Sequence, residues 1–246
     1  MNSLRLITFD VTETLLKFSV APGVMYAKVG ADFGVCVDHN KLTKHFKKHW
    51  NYMTNNHPNF GLKTIGWEKW WKEIVITSFE GSLEERVDVT VLNKIGANLI
   101  EIYKTPEGWE TVEGAHELLS YLKSCNIPLG IISNFDVRLE TIIKAMHLHH
   151  YFKFVITSYD SGFEKPDSKI FNLALSKLGT ESYNALHIGN TPETDYIGAI
   201  NAGWKAMLVN QNVKNILKDY PVIKPEDVFE SLAELQSFLM KNETNL

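Results

Sequence analysis

The chain has 246 residues, 44% hydrophobic and 22% charged, a balance that excludes disordered and fibrous classes and supplies apolar side chains for one large core or two smaller ones. Its formal net charge of −4 excludes a broad cationic surface for nucleic acid or anionic membrane; the local cluster Lys41, Lys44, Lys47 and Lys48 reads as the solvated face of a helix. The two cysteines, Cys36 and Cys125, make neither a disulfide framework nor a metal-ligand pair.

In chain order, Leu4–Phe9 is a short β-rich run that ends abruptly at Asp10. From about Leu16 to Thr105 the chain is rich in Lys, His and Trp, with helical patterns and no buried strand. Trp67, Trp70 and Trp71, at i, i+3 and i+4, share a helix face there and read as the core of a helical insertion. Beyond it, Ala115, Leu118, Leu119 and Leu122 mark a helix, Ile127–Ser133 a strand, and Leu139, Ile142, Ile143 and Met146 a second helix. Phe152–Ser158 is the next strand, Phe171, Ala174, Leu175 and Leu178 the next helix, and Ala185–Gly189 and Lys205–Val209 the last two strands. A helical stretch opened by Asp195 and ending near Gly203 lies between those two. Strands alternating with one-faced helices predict an α/β fold, a Rossmann-like doubly wound parallel sheet. The expected organisation is a core domain of residues 1–15 plus 106–246 and a helical cap domain of residues 16–105.

In such sheets ligands bind outside the carboxyl ends of the strands, so the residues after each strand are the candidates. The first strand delivers Asp10-Val11-Thr12-Glu13-Thr14-Leu15, the second Ser133-Asn134, and the third is followed by Lys165-Pro166-Asp167. The fourth delivers Gly189-Asn190-Thr191-Pro192-Glu193-Thr194-Asp195. Four strand ends thus offer an acid, a hydroxyl, a lysine and an Asn/Asp pair, a set that suits attack by a carboxylate on an anionic substrate. Asp10 would form a covalent intermediate, Ser133 would bind oxyanions, and Lys165 would offset negative charge. Carboxylates near Asp10 could hold Mg²⁺, which prefers hard oxygen ligands.

Asp-x-x-x-Thr-Leu after the first strand, Ser-Asn after the second, Lys-Pro-Asp, and Gly-x-x-x-x-x-Asp after the fourth resemble, in that order, the motifs of the haloacid dehalogenase (HAD) superfamily. Ile7-Thr8-Phe9-Asp10-Val11-Thr12-Glu13-Thr14-Leu15-Leu16, Ile132-Ser133-Asn134-Phe135-Asp136, Asn59-Phe60-Gly61 and Trp70-Trp71 are similar to the branch that holds HAD-like hydrolase domain-containing protein 3 and the rhythmically expressed gene 2 proteins. The resemblance implies a Mg²⁺-dependent hydrolase of a small phosphorylated molecule, working through an aspartyl-phosphate. Asp10 and Lys165 would be catalytic, Thr12, Thr14, Ser133 and Asn134 would bind substrate, and Asp10, Asn190 and Asp195 would hold the metal with the Thr12 carbonyl.

Two positions depart from the family's phosphatase pattern. Thr12 stands where the second Asp of Asp-x-Asp-x-Thr shuttles a proton, and a threonine hydroxyl has no useful proton affinity near neutral pH. Asn190 stands where an Asp usually binds the metal, so Mg²⁺ affinity is expected to fall. The implied activity is slow. The alternatives are a binding protein that keeps the site without turnover and, as a lesser one, the metal-free displacement of the dehalogenases themselves.

Other conspicuous residues have plain readings. Asp136 is expected to cap the helix that follows it; His147, His149 and His150 lack zinc-site spacing and decorate a turn; His187 is a buried, hydrogen-bonded strand residue. No run of about 18 apolar residues predicts a membrane span, and Met1-Asn2-Ser3-Leu4-Arg5-Leu6 lacks the features of a secretory leader, so the expected compartment is cytoplasmic. No nucleic-acid or membrane partner is expected, and the sequence identifies no protein partner.

Overall fold

Four apolar or small residues with no turn signal make Leu6–Phe9 the first strand (β1), and all four are buried. Burial of successive side chains means that both faces of the strand are covered, the condition of a central strand in a parallel sheet. In the computed structural model, which describes residues 4–242, the strands that follow are β2 (Leu16–Phe18), β3 (Trp109–Thr111), β4 (Leu129–Ser133), β5 (Phe152–Thr157), β6 (Ala185–Gly189), β7 (Lys205–Val209) and β8 (Val228–Phe229). Six of them form one sheet in the order β5-β4-β1-β6-β7-β8, with every pairing parallel. The chain leaves β1, builds outward through β4 and β5, returns to the far side of β1 for β6, and builds outward again. That reversal beside β1 opens a crevice at the carboxyl ends of β1, β4 and β6.

The expected strands are present, two with the expected ends and three with one end shifted by one or two residues, and the parallel α/β class is as expected. The two-residue β8, at the sheet edge, is too short to leave a sequence pattern. The ribbon of β2 with β3 was likewise not expected. The flanking helices bury the apolar stripes that their spacing implies: Ala115, Leu118, Leu119 and Leu122 on Ala115–Ser124, and Ile170, Phe171 and Ala174 on Ser168–Leu178. Leu178, at the end of the second stripe, is exposed. Asp167 caps that helix through a side-chain bond from the Lys169 amide, and Gly179 closes it in the left-handed conformation. Asp195 does not open the helix after β6. Pro192 does, with a π-type turn over Pro192–Ile197 that leads into Gly198–Asn201. Proline suits the first helical position because its missing N–H would have no partner there.

The chain folds into two compact units. One takes the chain up to Lys17, Thr111–Glu140 and the chain from His147; the other takes Phe18–Glu110 with Thr141–Met146. The second unit holds the helices Pro22–Asp32, His39–Asn56, Trp67–Glu80 and Val89–Ile102. Its larger core joins Met25, Tyr26, Val29, Leu42, Val75, Phe79, Leu92 and Ile95. A smaller one gathers Met53, Trp70 and Ile74 with Trp50, Phe60 and Trp71 packed against them. Trp70 is buried and donates from Nε1 to the His57 carbonyl at 2.9 Å. Asn59 and Phe60 both lie in the left-handed region, at φ 49° and 53°. A bulky residue rarely adopts that conformation; here it turns the Phe60 ring onto Trp70, with centroids 5.2 Å apart. No helix among the described residues is long and apolar enough to cross a membrane.

Gly130 in β4 lets the Phe154 ring lie against the strand, since a Cβ there would fall 2.3 Å from the ring. Gly130→Ala is expected to lower stability by about 1–3 kcal/mol through overpacking, measured by urea unfolding. Adding Phe154→Leu should restore part of the loss; no recovery would show that the ring is not the cause.

Candidate active site

Asp10 is the first residue beyond β1, and its amide still donates to the Ile188 carbonyl of the neighbouring strand at 2.9 Å. The backbone is therefore fixed by the sheet where the carboxylate turns into the crevice. Asp10 Oδ1 accepts from Ser133 Oγ at 3.0 Å and from Lys165 Nζ at 2.8 Å. Among the described residues, Oδ2 accepts no hydrogen bond. Asp10, Thr12, Glu13, Ser133, Asn134, Lys165, Asn190, Thr191, Thr194 and Asp195 line a cleft of about 220 Å³.

Lys165 is only 3% exposed, and its ammonium bridges two carboxylates: Asp10 Oδ1 at 2.8 Å and Asp195 Oδ1 at 2.6 Å. A buried charge needs such partners, because desolvation alone would neutralise it. Burial disfavours the Lys165 ammonium, but Asp10 and Asp195 outweigh that and hold its pKa above the usual lysine value. Burial also pushes the Asp10 carboxyl above the ordinary range; Lys165 opposes this without cancelling it, and Asp195 adds to it. For Asp195, burial raises the carboxyl, but Lys165 and then His187 hold it well below the usual range.

Asn134, expected to contact substrate, lines the cleft, and each end of its amide also makes one bond to the lysine loop. Oδ1 accepts from the Lys165 amide at 2.7 Å and Nδ2 donates to the Lys165 carbonyl at 2.9 Å. This clamp fixes the loop that carries the lysine. Thr14, also expected to contact substrate, is instead fully buried, is not among the cleft-lining residues, and donates from Oγ1 to Asn190 Oδ1 at 3.3 Å. It orients Asn190. Thr12 and Ser133 do line the cleft.

Asp195 is 2% exposed and both of its oxygens are engaged. Oδ1 takes Lys165 and lies 3.3 Å from His187 Nε2, while Oδ2 accepts the backbone amides of Asn190 at 3.0 Å and Thr191 at 2.9 Å. A carboxylate has about four such sites; three carry bonds and the fourth faces the His187 ring, which makes Asp195 the anchor of Lys165 and of the loop. Gly189 permits that fold-back, since a Cβ there would meet the Asp195 carboxyl carbon at 2.3 Å. Asp10 Oδ2 is left as an oxygen donor, while Asn190 Oδ1 accepts long bonds from Thr14 at 3.3 Å and Thr191 at 3.4 Å and is the weaker one. Among the described residues no group of three His, Cys, Asp or Glu side chains is arranged to hold a metal ion.

Glu13, Thr191 and Thr194 line the cleft and were not singled out from the sequence; their place in the motif loops was the available signal. Thr8 was also missed: its hydroxyl lies 2.8 Å from His187 Nδ1, directly across the β1–β6 register. His187 is buried as expected. Asp136 accepts from the Arg138 amide at 3.0 Å and pairs with the Arg138 guanidinium at 2.7–2.9 Å; it serves that buried pair, and the following helix starts only at Leu139.

Lys165→Met leaves two buried carboxylates without a counter-charge and is expected to cost roughly 3–5 kcal/mol at neutral pH, read by urea unfolding. Without the lysine, the folded-state pKa of Asp10 rises further above its unfolded value. A carboxylate raised in this way destabilises above the unfolded pKa and ceases to do so below it. The penalty should therefore shrink as pH falls from 7 toward about 4; a penalty constant over that window would sink the charge account.

With this geometry in view, comparison with known proteins is informative. The haloacid dehalogenase-like hydrolase family model matches residues 4–203. The rhythmically expressed gene 2 protein of Drosophila melanogaster is 39% identical over 244 residues, covering 94% of each chain. Haloacid dehalogenase-like hydrolase domain-containing protein 3 of Mus musculus is 31% identical, over 94% of this chain and 92% of its own. Among solved structures, the putative HAD-hydrolase YfnB of Bacillus subtilis, bound to magnesium, superposes with a TM-score of 0.73 at 20% identity, over 97% of this chain and 99% of that one. The L-2-haloacid dehalogenase of Xanthobacter autotrophicus gives 0.70 at 15% identity with the same coverage. At these identities the structures speak for the fold alone, whereas the family model spans most of the chain. The chain belongs to the haloacid dehalogenase-like hydrolases, as its four motifs in order had implied.

Proposed function

We propose that this hydrolase cleaves a small phosphomonoester, slowly, with Asp10 as nucleophile. The observation that carries the reading is the asymmetric hold on its carboxylate: Oδ1 is anchored by Ser133 and Lys165, and Oδ2 is left for attack. Oδ2 bonds to phosphorus as the ester P–O bond breaks, the leaving alkoxide takes a proton, and an aspartyl-phosphate remains. Water then attacks that phosphorus and loses its proton, and the acyl-phosphate P–O bond breaks to release phosphate and regenerate the carboxylate. Lys165 and the Ser133 hydroxyl stand where negative charge gathers.

Thr12 explains why the proposed rate is low. Both proton transfers lack a dedicated acid/base at that position, which costs about 10²–10⁴-fold. The oxygen donors fit Mg²⁺ only in part. Asp10, Asn190 and the Thr12 carbonyl would hold it, and the remaining positions suit substrate oxygens and water, which Mg²⁺ commonly retains. When bound, it would supply Lewis-acid polarisation of the phosphoryl group. A magnesium-bound relative of the same fold supports this assignment.

A second reading is favoured by the engagement of Asp195 and the neutral Asn190, which leave Asp10 as the one buried cleft carboxylate with an unbonded oxygen. In a metal-free displacement Asp10 would attack the halogen-bearing carbon and expel halide, and water would then hydrolyse the resulting ester; several chains of this fold are described as 2-haloacid dehalogenases.

Phosphate release from a panel of small phosphomonoesters, with and without Mg²⁺ and beside Asp10→Asn, separates these readings. The expected result is Mg²⁺-dependent release that vanishes in Asp10→Asn and rises roughly 10²-fold or more in Thr12→Asp. Halide release from 2-haloacids in chelator would establish the second reading instead. If neither product exceeds the Asp10→Asn level, the site binds without turnover and the proposal fails.

A further inference from the structure

Behind the cleft, where no substrate reaches, Thr8 and His187 are both fully buried. Thr8 Oγ1 lies 2.8 Å from His187 Nδ1; on the other side of the ring, Nε2 lies 3.3 Å from Asp195 Oδ1 and 3.5 Å from Lys165 Nζ. Two neutral tautomers are possible, and they place protons differently. With the proton on Nδ1, the ring donates to Thr8 and Nε2 accepts from Lys165. All three ammonium hydrogens are then consumed by Asp10, Asp195 and His187, and the Thr8 hydroxyl hydrogen has no acceptor among the described residues. With the proton on Nε2, Thr8 donates to Nδ1 and Nε2–H donates to Asp195 Oδ1, so the hydroxyl and ring hydrogens both have partners and the one hydrogen left over belongs to Lys165. Leaving the sealed Thr8 donor unmade carries its full desolvation penalty, whereas a hydrogen of Lys165, which lines the cleft, can meet water or an anion there, so the second arrangement is favoured. It also leaves one Lys165 N–H unspent, on a side chain that lines the cleft.

We propose that Thr8 and His187 are positioning residues: they lock the Nε2–H tautomer, complete the coordination of Asp195, and so reserve the third Lys165 hydrogen for an anion in the cleft. The purpose of that hydrogen rests on the oxyanion reading of the cleft, whereas the tautomer does not. Burial first and Lys165 second push the His187 pKa down to about 4, which agrees with a neutral ring. Neither residue touches substrate; both act through Asp195 and Lys165.

Imidazole ¹⁵N spectra of the native chain test the tautomer without any substrate, the His187 signals being those absent from a His187→Gln variant. The expected pattern is a protonated Nε2 and an unprotonated Nδ1. A protonated Nδ1 overturns the proposal while leaving the hydrolase reading intact. Inorganic phosphate, titrated by calorimetry, tests the consequence. His187→Phe removes the donor to Asp195 and should weaken phosphate about tenfold, a change equivalent to one hydrogen bond. His187→Gln keeps a donor near Nε2 and should recover most of that affinity. Equal binding by His187→Phe and the native chain, both folded by thermal melt, would reduce His187 to a structural residue and overturn the positioning role. Absence of phosphate binding by the native chain would remove both the oxyanion reading and the purpose of the reserved hydrogen, even with the tautomer as expected.

Discussion

One ammonium group, Lys165 Nζ, sits 2.8 Å from Asp10 and 2.6 Å from Asp195, nearly sealed from water. Three charges in so small a volume are tolerable only together, since removing any one leaves an uncompensated charge in a poorly solvated place. The surrounding architecture serves that cluster. The sheet holds Asp10 by its amide, the Asn134 clamp holds the lysine loop, and two loop amides hold Asp195 from behind. The loops follow β1, β5 and β6, and Asn134 joins β4 to them, so the cluster ties four strands together at the crevice where the winding of the sheet reverses.

That same cluster sets the chemistry the site can offer. Asp195 is engaged in anchoring, Asn190 is neutral, and Thr12 carries no titratable proton, so the cleft presents one buried carboxylate, Asp10, with an unbonded oxygen and little accompanying negative charge. Glu13 adds a carboxylate at the exposed rim, from a left-handed backbone at φ 61°. Magnesium-bound hydrolases and haloacid dehalogenases share this fold, which illustrates why fold alone does not assign a reaction. The distinction lies in two side chains and the charge they lack.

The helical unit follows separate physics. Its stability rests on ring packing around Trp70 and on the apolar cluster of Tyr26, Phe79 and Leu92, and its one conspicuous backbone feature, left-handed Asn59 and Phe60, turns an aromatic ring into that packing. No buried ionic cluster comparable to that around Lys165 stands out among its described residues. Polar chemistry is concentrated in the sheet unit, and aromatic packing in the helical one.

The parallel sheet was legible because strands buried on both faces read as unbroken apolar runs, and helices buried on one face as stripes of period 3.6. Asp10, Ser133, Lys165 and Asn190 were legible as well, because each follows a strand whose end could be located, and order along the chain sufficed to place them at one crevice. What the residues do there was decided by tertiary contacts. Asn134 and Thr14 read as substrate ligands from their position in the motifs; in the fold Asn134 also clamps Lys165 and Thr14 is buried against Asn190, 31 and 176 residues away in the chain. Asp195 read as a metal ligand, but in the fold both of its oxygens are engaged in anchoring, and Thr8 had no signal at all until the β1–β6 register set it beside His187. Sequence order determines which side chains arrive at a strand end; only three-dimensional proximity determines which of their lone pairs and protons are left to use.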